Sequence, residues 1–215
     1  SSPHEESTSR HSEATCPLDH IVVYGGSTAT GTLALQYAKL SGYCVITTCS
    51  PHNFDLCRGR GADHVFDYRD PACAAQTRSL TSNKLGLVLD CITTSESIAI
   101  CCQALSSETE LEKNYCGLFT VGKLPRADVR SGFAMAYTAL GDSFQKWDNY
   151  YPASPDDALF AADFLRRASM LLADGKVVPH PIRVCRGGLK GVLEGMDLMR
   201  KGAVTGVKLV YPLDS

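Results

Sequence analysis

The 215-residue sequence has no excess of either charge: 21 Lys and Arg stand against 23 Asp and Glu, a formal net charge of −2. That balance offers no general attraction to phosphate backbones or anionic lipid, so no nucleic-acid partner is expected. No apolar run approaches the ~18–20 residues that cross a bilayer, and Ser1-Ser2-Pro3-His4-Glu5-Glu6-Ser7 is too polar for a signal peptide. No membrane role is expected, and the implied location is cytoplasmic. There is no Cys-x-x-Cys pair, and His4, His11, His20, His52, His64 and His180 lack metal-ligand spacing, so no metal site is predicted. Nor is there a Ser/His/Asp or Cys/His set, and no residue is assigned a catalytic role. Internal repeats and low-complexity tracts are absent.

What is present describes a globular protein. Apolar residues make up 44% and charged residues 20%, enough to bury a real core. The length is about one and a half times a typical ~150-residue domain, which implies one large domain or one domain with an appendage. The ten cysteines include Cys44, Cys49, Cys91, Cys101 and Cys102, in or beside apolar segments. Thiols so placed pack as small hydrophobes, so free buried cysteines are expected rather than a disulfide framework. Cys102 has no basic neighbour in sequence to make it a nucleophile.

Residues 1–19, rich in Ser, Glu, His and Thr, read as a linker or disordered leader. Ile21-Val22-Val23-Tyr24 is a wholly apolar, β-branched run ending in Gly25-Gly26, the pattern of a strand buried on both faces of a parallel sheet. Ala29, Leu33, Tyr37 and Leu40 then share a helical face, and Ser41-Gly42 stops it. A second strand spans 43–48. The alternation continues through a helix at 53–60, a strand at 64–68, a helix at 72–80, a strand at 86–90, a helix at 95–105 and a strand at 118–121. This predicts an α/β, Rossmann-type doubly wound parallel sheet with helices on both faces. Residues 106–114 form an acidic polar patch, read as an exposed loop. The pattern blurs from 125 to 155. A helix then begins with Ser154 as N-cap and Pro155 at its first position; Phe160, Phe164, Leu165, Ala168, Leu171 and Leu172 are its expected buried face. A short extended stretch at 179–184, a helix at 189–201 and a last strand at 207–211 complete the chain.

The informative segment is Tyr24-Gly25-Gly26-Ser27-Thr28-Ala29-Thr30-Gly31, set between a buried strand and a helix. Gly25 suits the tight turn, and Gly31 suits close helix-to-strand packing; small residues between them would let backbone amides approach a pyrophosphate. The middle glycine of G-x-G-x-x-G is replaced by Thr28, and the hydroxyls of Ser27, Thr28 and Thr30 are candidate phosphate donors. A bare strand-to-helix turn is the equally weighted alternative. About 20 residues on, where NAD-binding folds carry an acid for the ribose, stands Cys49-Ser50-Pro51-His52-Asn53. No carboxylate repels a 2′-phosphate there, and Ser50, His52 and Asn53 offer polar groups to one, which favours NADP(H). Arg58 and Arg60 are nearby, either reaching that phosphate or lying on a solvated helix face. Tyr68 either stacks on adenine or is a surface aromatic, and Asp90 either serves function or caps a strand end.

Together these residues resemble the nucleotide-binding half of the medium-chain dehydrogenase/reductase superfamily, over most of residues 20–212. The carriers are Arg60-Gly61-Ala62-Asp63-His64-Val65-Phe66-Asp67-Tyr68, Leu89-Asp90-Cys91, Ala173-Asp174-Gly175-Lys176 and Gly206-Val207-Lys208-Leu209-Val210. The Ser27-Thr28-Ala29-Thr30 and Ser50-Pro51-His52-Asn53 pieces, at their spacing, are most similar to the trans-acting enoyl reductases of fungal highly reducing polyketide synthases. The resemblance implies zinc-independent, NADPH-dependent hydride transfer to the β-carbon of an α,β-unsaturated polyketide thioester carried by an acyl carrier protein. It carries cofactor contacts over to Ser27, Thr28, Ala29, Thr30, Ser50, Pro51, His52, Asn53 and Tyr68, and further to the backbone near Thr120-Val121 and to Leu209-Val210.

The same resemblance sets expectations for the organisation. Family members begin with a GroES-like domain that forms one wall of the active site; this chain is expected to lack it. The divisions expected are a leader over 1–19, an NADP-binding Rossmann domain over 20–175, and over 176–215 a return segment that in the family packs toward the GroES-like domain. The first residue is Ser rather than Met, so a processed or recombinant product, or a fragment of something longer, is expected. Apolar surface left by a missing domain would be exposed or used for self-association. The leading reading is a fragment or truncated form of a trans enoyl reductase. The alternatives are a non-catalytic NADP-binding or scaffold protein of that family and, more remotely, an S-adenosylmethionine methyltransferase.

Overall fold

The computed structural model describes residues 19–146 and 148–213. Apart from Asp19, the expected leader lies outside the described residues, as does Trp147. The chain begins with strand β1 (His20–Tyr24), helix α1 (Ala29–Leu40), β2 (Cys44–Cys49), a 3-10 turn (Pro51–Asn53), α2 (Phe54–Gly59) and β3 (His64–Asp67). It continues through α3 (Cys73–Leu80), β4 (Leu87–Asp90), α4 (Ser95–Ala104), β5 (Asn114–Gly117) and β6 (Arg130–Phe133). These six strands form one parallel sheet in the order β3-β2-β1-β4-β5-β6.

Successive residues of a strand face opposite sides, and both sides of this sheet are covered at β1 and β2, which is why these strands read as continuous apolar runs, whereas the edge strand β6 is exposed. Ile46, Val22, Val88 and Tyr115 are register partners across β2, β1, β4 and β5, and pack against Ala74, Cys101 and Ala104 of α3 and α4. Val23 and Val45 point the other way, into a second cluster with Leu35 and Ala38 of α1 and Cys57 of α2. This is the doubly wound sheet that the alternation predicts.

The expected strand at 118–121 is corrected: β5 runs earlier, over Asn114–Gly117. The decisive residue is Tyr115, which is buried and whose hydroxyl donates to Asp90 Oδ2 at 2.8 Å, so the strand is drawn into register with β4 by a buried polar contact. Within the acidic stretch, Glu108 to Glu110 are exposed as expected, but Lys113 is buried, with its ammonium donating to the carbonyls of Glu108 and Leu111.

Beyond the sheet lie a second 3-10 turn (Ala136–Leu140), the antiparallel hairpin β7 (Phe144–Lys146) and β8 (Asn149–Tyr151), then α5 (Pro155–Ala173), β9 (Ile182–Val184), α6 (Gly188–Arg200) and β10 (Lys208–Val210). Helix α5 starts at Pro155 with Asp156 and Asp157 in its first turn, but Ser154 makes no side-chain capping bond. Its expected buried face is also corrected: only Ala168 is buried, while Phe160 is 72% and Leu165 63% exposed. α5 packs on the Ala136–Leu140 turn and meets α1 through Phe164 and Tyr37, rings 5.2 Å apart, so its apolar stripe lacks a covering layer. The final strand β10 pairs in parallel with β9 as a separate ribbon, outside the main sheet.

That C-terminal stretch is tied back onto α1. Gln36 Oε1 accepts from the Val178 amide at 2.8 Å, its Nε2 donates to the Val178 carbonyl at 3.0 Å, and Thr32 Oγ1 lies 2.9 Å from His180 Nδ1.

Candidate cofactor groove

The turn after β1 is built on close backbone approach. Gly25 adopts φ +81°, and the amides of Gly25 and Gly26 both donate to the Thr48 carbonyl, at 3.2 and 3.1 Å. A Cβ on Gly31 would sit 2.3 Å from the Gly25 carbonyl oxygen, so α1 meets the turn more closely than any side chain allows. Thr28 is the N-cap of α1: its Oγ1 accepts from the Gly31 amide and donates to the Gly25 carbonyl, each at 2.9 Å. The Thr28 hydroxyl expected for a phosphate is therefore engaged inside the turn. The donors that helix geometry leaves for an anion are the remaining first-turn backbone amides, at the positive end of the α1 dipole.

Two cavities open at this turn. One, of about 650 Å³, is lined by Ser27, Thr28, Ser50, Tyr68, Thr94 and Thr205 among others. The other, of about 520 Å³, is lined by Ser27, Thr28, Ala29, His180, Thr205 and Leu209 among others. Sharing Ser27, Thr28 and Thr205, they adjoin across the carboxyl ends of β1 to β4. The order β3-β2-β1-β4 reverses direction between β1 and β4, and such a switch point opens the crevice in which doubly wound folds bind nucleotides.

Residues 29–120 match the family described as zinc-binding dehydrogenase. The chain is 44% identical over 194 residues to the trans-enoyl reductase ACTTS2 of Alternaria alternata, an alignment covering 90% of this chain and 55% of that protein. Residues 29–120 carry a domain of the medium-chain dehydrogenase/reductase superfamily. The chain is also 42% identical over 199 residues to lovC, the enoyl reductase component of the lovastatin nonaketide synthase of Aspergillus terreus, covering 91% of this chain and 54% of that one. The chain thus spans about half the length of the curated relatives it matches. Among solved structures, CurA of Vibrio vulnificus in complex with NADPH superposes with a TM-score of 0.62 at 18% identity, covering 92% of this chain and 57% of that one, a likeness of fold.

The medium-chain domain brings some of the expected cofactor residues together and leaves others aside. Ser27, Thr28, Ala29, Ser50, Tyr68 and Leu209 line the groove. Thr30, Pro51, His52, Asn53 and Val210 do not line it; Pro51 and His52 are exposed, and the side chains of His52 and Asn53 turn to Thr205. Thr120 is exposed and Val121 lies beside Gly117, in the loop after β5 and off both cavities. Neither arginine of the 58–60 stretch reaches the groove: Arg58 pairs with Asp55 at 3.2 Å, and Arg60 donates to the Pro179 carbonyl at 3.1 Å.

Two lining residues are not marked by the sequence motifs. Arg69 sits over the Tyr68 ring, 5.8 Å from its centroid, and grips Asp67 with two hydrogen bonds of 3.0 Å, holding that carboxyl below its usual range. A signal for it exists, a base directly after Tyr68 at a strand's carboxyl end. Thr205 has none, because its partners lie some 150 positions earlier in the chain.

Asp90 resolves as a buried anchor. It is fully buried, its Oδ1 accepts from the amides of Ile92 and Thr93 at 2.8 and 2.9 Å, and its Oδ2 accepts from Ser97 Oγ and the Tyr115 hydroxyl at 2.6 and 2.8 Å. Among the described residues, seven cysteines, including Cys44, Cys49, Cys91, Cys101 and Cys102, are buried free thiols. Burial pushes the Cys102 thiol up, and burial with the Asp90 charge pushes Cys91 up to about 12, so neither is a thiolate near neutrality. The family description implies zinc, but among the described residues no three His, Cys, Asp or Glu side chains come together as metal ligands, and no step is assigned to a metal.

Proposed function

We propose that this chain binds NADP(H) in the groove and serves, in the cytoplasm, the NADPH-dependent reduction of α,β-unsaturated polyketide thioesters in trans with a polyketide synthase. The observation that carries the reading is the groove itself, with the first turn of α1 at one side and Ser50 and Tyr68 at the other. The family's relatives are fungal trans-enoyl reductases, one of them a component of a polyketide synthase system.

Each residue has a role in binding or orientation. The amides at the start of α1 would hold the pyrophosphate, with Thr28 keeping the turn rigid from within. Tyr68, with Arg69 over one side, would hold the adenine, and Ser50 would face the ribose 2′-phosphate. Reduced cofactor bound there supplies a hydride to the β-carbon of the acyl chain. Residues 20–175 would act as the nucleotide-binding unit, and 176–215, held to α1 through Val178 and His180, would be the segment that in the family packs toward the GroES-like domain. An acyl carrier protein is the expected bearer of the substrate, and exposed apolar faces on α5 and α6 favour self-association of the chain as it stands.

Isothermal titration of the chain with NADPH, NADP and NADH is the direct test. Preferential binding of the phosphorylated dinucleotides supports the reading, and its loss in Ser50→Asp would put the 2′-phosphate at that loop. Absence of binding at millimolar concentration would remove it and leave a scaffold protein of the same fold.

A further inference from the structure

We infer that Thr205 is a positioning residue for the nucleotide: from the C-terminal segment, its hydroxyl holds the loop after β2 in the conformation that receives the 2′-phosphate. The inference rests on NADP(H) being the occupant of the groove. Thr205 precedes β10 and lines both cavities. Its Oγ1 accepts from Asn53 Nδ2 at 2.7 Å and lies 3.2 Å from His52 Nε2. A hydroxyl carries one proton and two lone pairs, so it can accept from the amide and donate to the unprotonated ring nitrogen at the same time.

The neighbouring backbone adds a second restraint. Gly206 has φ +65°, and a Cβ there would lie 2.6 Å from Asn53 Oδ1, so the chain at 205–206 presses directly on the Asn53 side chain. Asn53 is buried, and its backbone N–H in turn donates to the Ser50 carbonyl at 2.9 Å, closing the 3-10 turn that starts beside the groove. Ser50, which lines the cavity, is thus placed by a turn whose far end is held from the C-terminal segment. The groups expected to meet the 2′-phosphate directly, His52 and Asn53, instead face Thr205. A loop held in place before the ligand arrives avoids the ordering cost on binding. Thr205 is itself exposed, so removing its hydroxyl opens no core cavity.

The test compares the chain with Thr205→Val and Thr205→Ser by isothermal titration with NADPH and with NADH, alongside amide hydrogen exchange over residues 50–53. One lost hydrogen-bonding centre predicts NADPH affinity about five- to tenfold weaker in Thr205→Val, NADH affinity within about twofold of the parent, and faster exchange in the loop. Thr205→Ser should restore the parent's behaviour. Equal weakening of both dinucleotides, or none, with the parent binding normally, overturns the positioning role alone. If the parent binds neither dinucleotide, the NADP(H) reading falls and this inference falls with it.

Discussion

Leu35 of α1 and Phe160 of α5 are both large apolar residues on a helix, yet Leu35, off the face Ala29, Leu33, Tyr37 and Leu40 expected for α1, is wholly buried, whereas Phe160, on the face expected for α5, is 72% exposed. The contrast extends to their neighbourhoods. α1 connects two adjacent parallel strands, β1 and β2, so chain connectivity returns it across the sheet and lands Leu35 and Ala38 on Val23 and Val45, leaving Ala29 and Leu40 of the expected face exposed. α5 follows a hairpin and a 3-10 turn, connects no pair of strands in the main sheet, and meets little besides the Ala136–Leu140 turn and Tyr37. The period of apolar residues therefore offers a face, whereas the path of the chain decides which face meets a partner and whether a partner exists at all.

Substitutions can break this comparison. The largest effect is expected at Gly31→Val, where backbone at Gly25 and Gly26 blocks the new side chain; a loss of about 3 kcal/mol or more in urea unfolding, with loss of NADPH binding in titration, is the expected outcome. Leu35→Ala should cost a similar ~3 kcal/mol by cavity creation alone, without touching the turn. Next, Tyr115→Phe removes a buried hydrogen bond to the Asp90 carboxylate and is expected to cost about 2 kcal/mol, read from the same denaturation curves.

A pH effect distinguishes the tie between the two regions. Burial, with the charges of Arg60 and Lys208, holds the His180 imidazole below its ordinary value of 6.5. The folded chain then binds fewer protons than the unfolded one, so the stability this group contributes is complete above pH 6.5 and declines as pH falls through 6.5 toward the folded value. His180→Gln should flatten the fall in Tm between about pH 7 and 5, leaving a residual slope from His20, which burial also shifts downward. The smallest effect is expected at Phe160→Ser, within about 0.5 kcal/mol by urea unfolding, because the ring is exposed. A cost matching that of Leu35→Ala would mean that the α5 face is covered in solution.

Much of the first half of the fold is legible in the amino-acid sequence alone. The strand at Ile21 to Tyr24, the helix ending before Ser41-Gly42 and the roles of Gly25 and Gly31 follow from local rules, since burial on both faces makes apolar runs and tight turns demand glycine. Two departures from expectation share one cause. The strand expected at 118–121 is displaced by a buried Tyr115–Asp90 contact, and the Thr28 hydroxyl is claimed by a cap rather than a phosphate. In each case a polar group finds an internal partner that periodicity does not encode.

Composition, period and turn chemistry were enough to establish a doubly wound parallel sheet with a nucleotide-type turn after β1, because each depends on residues within about one element of each other. Tertiary structure alone decided that α5 would keep its apolar face exposed, that Arg60 would turn to the Pro179 carbonyl, and that Thr205 would hold the loop after β2. Those outcomes depend on contacts between segments up to some 150 residues apart, and such contacts are chosen by the packing of the whole chain rather than by any local pattern.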